Sequence, residues 1–282
     1  MTHDLEPGLY IVATPIGNLG DLTQRAIEVL GRADHVACED SRVTGKLLHR
    51  LNLKKPMLRY NDHSKAQDRE RIIALAQTGI VALVSDAGTP LISDPGYKLV
   101  RDAQQAGIAI TSLPGASAAI VALTLSGLPT DRFYFHGFLP ARPAARSREA
   151  ETLSAIAATL IFYESGPRLG ACLADLAALW PDREAAVVRE ISKKFEEVRT
   201  GSLAELAAQY GGDAPRGEIV LLVGPPGAPE APDEAAIDAM LAEALRDHAP
   251  SQAAALVARQ TGADRKQLYR RAMDMKSGHD GE

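Results

Sequence analysis

The run Ile80-Val81-Ala82-Leu83-Val84 gives way at once to Ser85-Asp86-Ala87-Gly88-Thr89-Pro90 and then Leu91-Ile92-Ser93-Asp94-Pro95-Gly96. An apolar segment of strand length is followed by a turn of small, stiff and acidic residues, and the same unit recurs along the chain. Apolar runs at Leu9 to Ala13, Val36 to Cys38, Met57 to Tyr60, Ile80 to Val84 and Ile108 to Leu113 alternate with amphipathic stretches. Those stretches predict helices from about Asp21, after Arg42, from about Gln67, after Pro95 and after Pro114. This is the alternation of a mostly parallel sheet flanked by helices. The style repeats at Phe133 to His136, Thr159 to Tyr163, Ala185 to Glu190 and Glu218 to Val223. The fold class expected is therefore α/β, with two α/β domains over residues 1–126 and 127–226. Beyond Val223 the Pro/Gly/acidic text GPPGAPEAPDE reads as a linker. A helical extension completes residues 227–282, and its helix, Thr261-Gly262-Ala263 turn and basic helix outline a helix-turn-helix.

Composition removes several classes. At 282 residues the chain has room for two domains, and 46% hydrophobic with 24% charged residues is ordinary globular content. Two cysteines, Cys38 and Cys172, make neither a disulfide framework nor a zinc site, which fits a reducing compartment. The acidic start Met1-Thr2-His3-Asp4 lacks the basic flank of a signal peptide, so the expected location is cytoplasmic. The uncharged span between Asp102 and Asp131 is divided by Pro114-Gly115 and cannot supply the ~20 unbroken helical residues of a membrane span. A net charge of −5 argues against indiscriminate nucleic-acid binding, yet three basic groups stand out: Arg42 to Arg71, Arg142 to Arg148, and Arg265 to Arg271.

Ligands of parallel α/β sheets bind beyond the carboxyl ends of the strands. The segments found there are TPIGN, EDSR, SDAGTP and PGASA. Gly88 and Gly115 permit close backbone approach, and Ser117 with the free N–H groups of the following helix suits an anion such as a carboxylate. Asp94 and Pro95 read as a helix cap and first helical residue, leaving Asp86 as the preferred ligand contact. The second half contributes FYESGPR and REISKKFEE, whose Glu164, Arg168, Glu190, Lys193 and Lys194 fit either surface ion pairs or an interdomain cleft. Dinucleotide-binding, P-loop, zinc-hydrolase and serine-hydrolase signatures are absent.

In order and spacing, LYIVATPIGNLGDLT, EDSR, LVSDAGTPLISDPG, LPGASAAIVAL, SGLP, GFLP, FYES, EISKKFEE and RGEIVLLV resemble the 16S ribosomal RNA (cytidine-2'-O)-methyltransferases. That family lies within the tetrapyrrole-methylase-like S-adenosylmethionine enzymes. The tail LVARQTGADRKQLYRRA is similar to the family's C-terminal extension. The resemblance implies a cleft for S-adenosylmethionine between two α/β domains, a homodimer, and a cytidine in the decoding centre of the small ribosomal subunit as substrate, with neither DNA nor membrane as partner. Cofactor contacts implied are Pro15 and Gly17; Asp86, Gly88, Thr89 and Pro90; Pro114, Gly115, Ala116 and Ser117; Tyr163 and Glu164; and Gly217 and Glu218. Ser41 and Ser192 stand where the family more often has Thr, and Gly166-Pro167 stands where Pro-His is usual, so that His carries no role here.

Transfer to a ribose hydroxyl benefits from a general base and requires no metal. Candidates are Glu39, Asp40 and Glu164, with Lys193 as a further catalytic candidate that could, like Arg42, hold phosphate instead. RNA contacts are expected from Arg42, Lys46, Arg142, Arg146 and Arg148. The alternatives are a tetrapyrrole methyltransferase using the same cofactor loops, and a non-catalytic nucleic-acid-binding module.

Overall fold

The computed structural model describes residues 5–212, 214–227 and 233–279. Met1–Asp4 of the acidic start and residues 228–232 of the linker lie outside the described residues. The first sheet is built from β1 (Gly8–Val12), β2 (His35–Cys38), β3 (Met57–Arg59), β4 (Ile80–Val84) and β5 (Ile110–Leu113). All neighbours pair in parallel, in the order β3-β2-β4-β1-β5. Helices α1 (Gln24–Arg32) and α2 (Ser41–Arg50) cover one face, packing Val29, Leu30 and Leu48 on Val12, Val36 and Val84. Helices α3 (Ala66–Thr78) and α4 (Tyr97–Gln105) cover the other with Ile72, Ala76 and Leu99 on Ile11, Val81 and Leu83. Coverage on both faces explains why the central strands read as unbroken apolar runs rather than alternating ones.

Helix α5 (Ala118–Leu125) leaves the first sheet and packs on the second. Its Ala119, Ala122 and Leu123 meet Ile161, Val188, Val220 and Leu222. That accounts for much of the uncharged span between Asp102 and Asp131, and no helix among the described residues is long and apolar enough to cross a membrane.

The second sheet contains β6 (Phe133–Phe138), β7 (Thr159–Ser165), β8 (Glu184–Arg189), β9 (Glu197–Ser202) and β10 (Glu218–Val223). On its far face lie α6 (Pro143–Leu153), α7 (Gly166–Leu179) and α8 (Leu203–Gln209). The strand order is β6-β7-β10-β8-β9. Here the sequence reading is corrected. Only β6 and β7 are parallel; β10 runs antiparallel to both β7 and β8, and β8 forms an antiparallel pair with β9, a strand the apolar-run criterion overlooked. β9 sits at the sheet edge with its residues half or fully exposed, so it carries no apolar run to detect. The antiparallel β10 has a functional consequence: its first residues, Glu218 and Ile219, lie beside the last residues of β7 and β8.

Contacts divide the chain into two compact units, residues 1–225 and 226–282, both α/β sheets belonging to the first. The second unit holds α9 (Glu234–Asp247), α10 (Pro250–Thr261) and α11 (Arg265–His279) around Leu241, Ala253, Val257 and Leu268. Gly262 ends α10 in the left-handed conformation, φ 73°, which glycine adopts without steric cost, and so makes the tight turn into α11.

Candidate functional site

The loops at the carboxyl edge of the first sheet are stitched to one another. Thr14 N–H donates to Gly88 O at 2.9 Å and Gly88 N–H returns to Thr14 O at 3.0 Å, a single bridge joining the loops after β1 and β4. The Thr89 hydroxyl donates to Ala116 O at 2.9 Å and ties in the loop after β5. Gly88 has φ +78°, and a Cβ there would lie 3.3 Å from the Ile16 side chain, so both conformation and space select glycine. The Asp40 N–H donates to Asp86 Oδ1 at 3.2 Å, bringing the EDSR segment to the same edge.

Beyond Thr89 the chain holds two non-glycine residues in the left-handed region, Leu91 (φ 74°) and Ser93 (φ 61°). Such residues cost on the order of 1 kcal/mol each and persist where surrounding structure imposes them. They turn Ile92, Ser93 and Asp94 into the wall of a cavity of about 350 Å³. Asp94 is therefore not a helix cap: α4 starts at Tyr97 with Gly96 as its N-cap, and Asp94 faces the cavity instead. Burial, followed by repulsion from Asp86 and Asp62, raises its carboxyl above the ordinary range, against a lowering hydrogen bond with Ser85.

Opposite lie Phe138, Tyr163, Ile191 and the start of β10, Gly217 to Val220, with Ser117 and Ala118 at the head of α5 and Ile16 completing the enclosure. Ser117 is the α5 N-cap but makes no side-chain capping bond, and of the first-turn N–H groups that of Ala119 faces the Tyr163 hydroxyl. Of the expected cofactor contacts, Gly88, Thr89, Ser117, Tyr163, Glu164, Gly217 and Glu218 line the cavity. Pro15, Gly17, Asp86, Pro90, Pro114, Gly115 and Ala116 are not among its lining residues and belong to the loops that shape it. Phe138, Ile191, Ile219 and Val220 were not singled out. The strand-end rule would have reached Phe138 and Ile191 had GFLP and EISKK been read as wall segments, whereas Ile219 and Val220 open the antiparallel β10 and lie at the start of a strand.

The catalytic candidates separate on geometry. Asp40 is the N-cap of α2, accepting from the Arg42 N–H at 2.8 Å and from its guanidinium at 2.6 Å. These bonds hold its carboxyl down at about 2, which makes it a poor proton acceptor. Glu164 shares a strand face with Leu160 and Phe162, whose side chains pack toward α7, and only 1% of its side chain is exposed. Its Oε1 pairs with Arg168 at 3.2 Å and accepts the Ser165 N–H at 2.8 Å, so Glu164 is corrected from base to buried structural partner of α7. Burial and this carboxylate together push the nearby Cys172 thiol up to about 12, keeping it inert.

Lys193 Nζ lies 3.0 Å from both Glu190 and Glu218. Burial pulls its pKa down, but the two carboxylates outweigh that and hold it above the usual lysine value, so it remains a cation rather than a base. Its stem lies over Gly17, where a Cβ would approach to 2.5 Å, and the neighbouring Ser192 hydroxyl donates to Asp21. These contacts clasp the two sheets across the cavity.

Glu39 remains. It is half-buried, and its carboxyl is raised by burial first and then by Asp86, Asp94, Asp62 and Asp40.

Of the expected RNA contacts, Arg42, Lys46, Arg142 and Arg148 are exposed. Arg146 is not: 2% exposed, it donates to Asp175 through Nε at 2.7 Å and to the carbonyls of Pro140 and Ala141. This is a further correction, since Arg146 anchors α6 to α7. Arg146→Met is expected to lower unfolding free energy by about 1.5–3 kcal/mol, the range for hydrogen bonds to charged groups. It should leave RNA affinity and its salt dependence unchanged; a reduced salt slope in a fully folded variant would restore the RNA role.

Residues 8–207 match the family model for Tetrapyrrole (Corrin/Porphyrin) Methylases, and residues 231–276 match that for the RsmI C-terminal HTH domain. A protein of Erythrobacter litoralis named Ribosomal RNA small subunit methyltransferase I is 58% identical over 98% of this chain and 100% of its own length. The chain belongs to the ribosomal RNA small subunit methyltransferase I family. Members from Mesorhizobium japonicum and Escherichia coli O157:H7 are 49% and 44% identical, covering 96% and 95% of the chain and 93% and 95% of their own lengths. Among solved structures, uroporphyrin-III-C-methyltransferase from Thermus thermophilus is 26% identical, with a TM-score of 0.55 over 78% of this chain and 94% of its own. A second structure named uroporphyrin-III C-methyl transferase from Thermus thermophilus, 19% identical with a TM-score of 0.52 over 76% of this chain and 96% of its own, is complexed with S-adenyl homocysteine. It shares the fold of this family member.

Proposed function

We propose that the protein transfers a methyl group from S-adenosylmethionine to the ribose 2'-hydroxyl of a cytidine in the decoding centre of 16S rRNA, acting on the small ribosomal subunit as a cytoplasmic homodimer. The observation that carries this reading is the open cavity at the shared edge of two sheets, with Glu39, Arg42 and Lys46 on the neighbouring loop and helix. Its volume falls within the range of small-molecule sites.

The residues present fit the cofactor. First-turn N–H groups of α5 suit its carboxylate, and Asp94 suits its positive charge. Ile16, Ile92, Phe138 and Ile191 supply apolar wall against which an aromatic base can pack. S-adenosylmethionine supplies an activated methyl group on a sulfonium. The chain's own contribution is to orient the acceptor and remove its proton. Glu39, made more basic than an ordinary carboxylate by burial and neighbouring negative charge, accepts that proton. Arg42 and Lys46, exposed on the same helix, hold flanking phosphates. The exposed aromatic rings of edge strand β6, Phe133 and Tyr134, support pairing with a second copy of the chain.

Incubation with tritiated S-adenosylmethionine and small subunits lacking the modification tests the reading. Label should map to the ribose of one decoding-centre cytidine. Label on a base or on another nucleotide would reject the stated specificity, and transfer only to a tetrapyrrole would reject an RNA substrate.

A further inference from the structure

The second unit leaves one helix face outside its own core. In α11, Leu268 and Ala272 are 2% and 0% exposed and pack with Leu241, Ala253 and Val257. At 100° per residue, Lys266, Arg270 and Met273 then share an arc away from that core, with Asp274 beside Arg270, and Tyr269 stands at the flank, about 60° from Ala272. Tyr269 and Met273 are 42% and 41% exposed there. The basic residues of this helix are not equivalent. Arg271 is committed to Glu234 at 2.8 Å and Asp238 at 3.5 Å, and Arg265 lies 3.5 Å from the Ser251 hydroxyl. Among the described residues, Lys266 and Arg270 have no ion pair and no side-chain hydrogen bond.

This face presents two unpaired cations with a partly exposed tyrosine at its flank. We infer that Lys266, Tyr269 and Arg270 of α11 form an RNA-docking face that grips an unpaired segment of the substrate, the cations on phosphates and the ring on a splayed base. The inference rests on the reading of rRNA as substrate. An unpaired segment is the occupant because the major groove of A-form RNA is too deep and narrow to admit a helix, whereas exposed bases in loops stack on aromatic side chains. Charge complementarity with the phosphate backbone supplies attraction that does not depend on sequence.

The full-length protein is titrated with a fluorescein-labelled single-stranded RNA 20-mer and with duplex DNA of equal length, across a series of salt concentrations. The double variant Lys266→Ala, Arg270→Ala should bind the RNA at least about tenfold more weakly at low salt, with the log–log salt slope reduced by about 1.4 for two lost single-strand phosphate contacts. Tyr269→Ala should weaken binding at an unchanged slope, and Tyr269→Phe should restore it. In methyl transfer to small subunits, the variants should raise KM and leave kcat intact. Circular dichroism confirms that each variant keeps its helices.

Wild-type affinity and slope in a folded double variant would overturn the proposal, as would no RNA binding by the wild-type chain or a preference for duplex DNA. Absence of methyl transfer by the wild-type protein, with the RNA losses as described, would instead overturn the transferase reading and support the docking face.

Discussion

Glu39→Gln lowers the rate of methyl transfer by roughly 10²- to 10⁴-fold, the usual contribution of a general base, while S-adenosylmethionine affinity stays at the wild-type value. The amide keeps the shape of the side chain and removes its ability to accept a proton. Stability should move in the opposite direction from activity. The Glu39 carboxyl is raised by burial and by Asp86, Asp94, Asp62 and Asp40. A group whose folded pKa exceeds its unfolded value contributes stability below the unfolded pKa and loses that contribution as pH rises through the folded one. At neutral pH the charged Glu39 is therefore a burden on the fold, and the amide relieves it, so the melting temperature of the variant should equal or exceed that of the wild type. The wild-type rate should fall on the acidic side as Glu39 protonates, at a pH above that of an ordinary glutamate. Turnover unchanged in Glu39→Gln, or lost together with cofactor binding, would remove Glu39 as the base.

Gly166→Ala should be the most damaging small substitution in the first unit. Gly166 opens α7, and a Cβ there would lie 1.7 Å from the Pro215 carbonyl oxygen and 2.9 Å from its carbon. Both are backbone atoms and cannot swing aside. Relief requires the segment before β10 to move, and Gly217 to Val220, which follow directly, form one wall of the cavity. Overpacking of this kind costs about 1–3 kcal/mol, occasionally more. Denaturant unfolding should show that loss, and isothermal titration should show weaker S-adenosylmethionine binding. Gly212→Ala is the control, because nothing lies within 4 Å of its Cβ position, and it should change neither. Wild-type stability and cofactor affinity in Gly166→Ala would show that the segment yields without penalty. In the departure ESGPR, the Pro215 carbonyl occupies the space that a Cβ at Gly166 would need. Pro167 in the first turn of α7 needs no hydrogen-bond donor, since first-turn N–H groups have no helical partner.

The first sheet was legible because burial on both faces writes a strand as an apolar run, and its loops were legible because glycine, proline and acids concentrate where backbone must turn. Strand β4 was located to the residue in this way. The second sheet was legible as strands but not as directions, since an apolar run such as Glu218 to Val223 looks the same parallel or antiparallel. Strand β9, exposed at an edge, left no apolar signal at all. Asp94 was misassigned for a related reason: Ser-Asp-Pro matches a helix start locally, while the left-handed Leu91 and Ser93 that redirect it are imposed by distant packing.

By itself the sequence determined the α/β architecture, the strand-end loops and, through its ordered motifs, the family. Those properties are carried by local composition and short-range spacing. Tertiary structure alone decided the chemistry of individual side chains. It turned Glu164 and Arg146 inward to partners on α7, neutralised Asp40 as a base by pairing it with Arg42, and surrounded Glu39 with carboxylates from three other segments. Basicity and accessibility depend on burial and on neighbouring charges. Asp40 and Glu164 meet partners within their own motifs, Arg42 and Arg168, whereas Arg146 meets Asp175 and Glu39 meets Asp62, Asp86 and Asp94 only through the fold, and the order of amino acids within any one motif contains no record of those long-range neighbours.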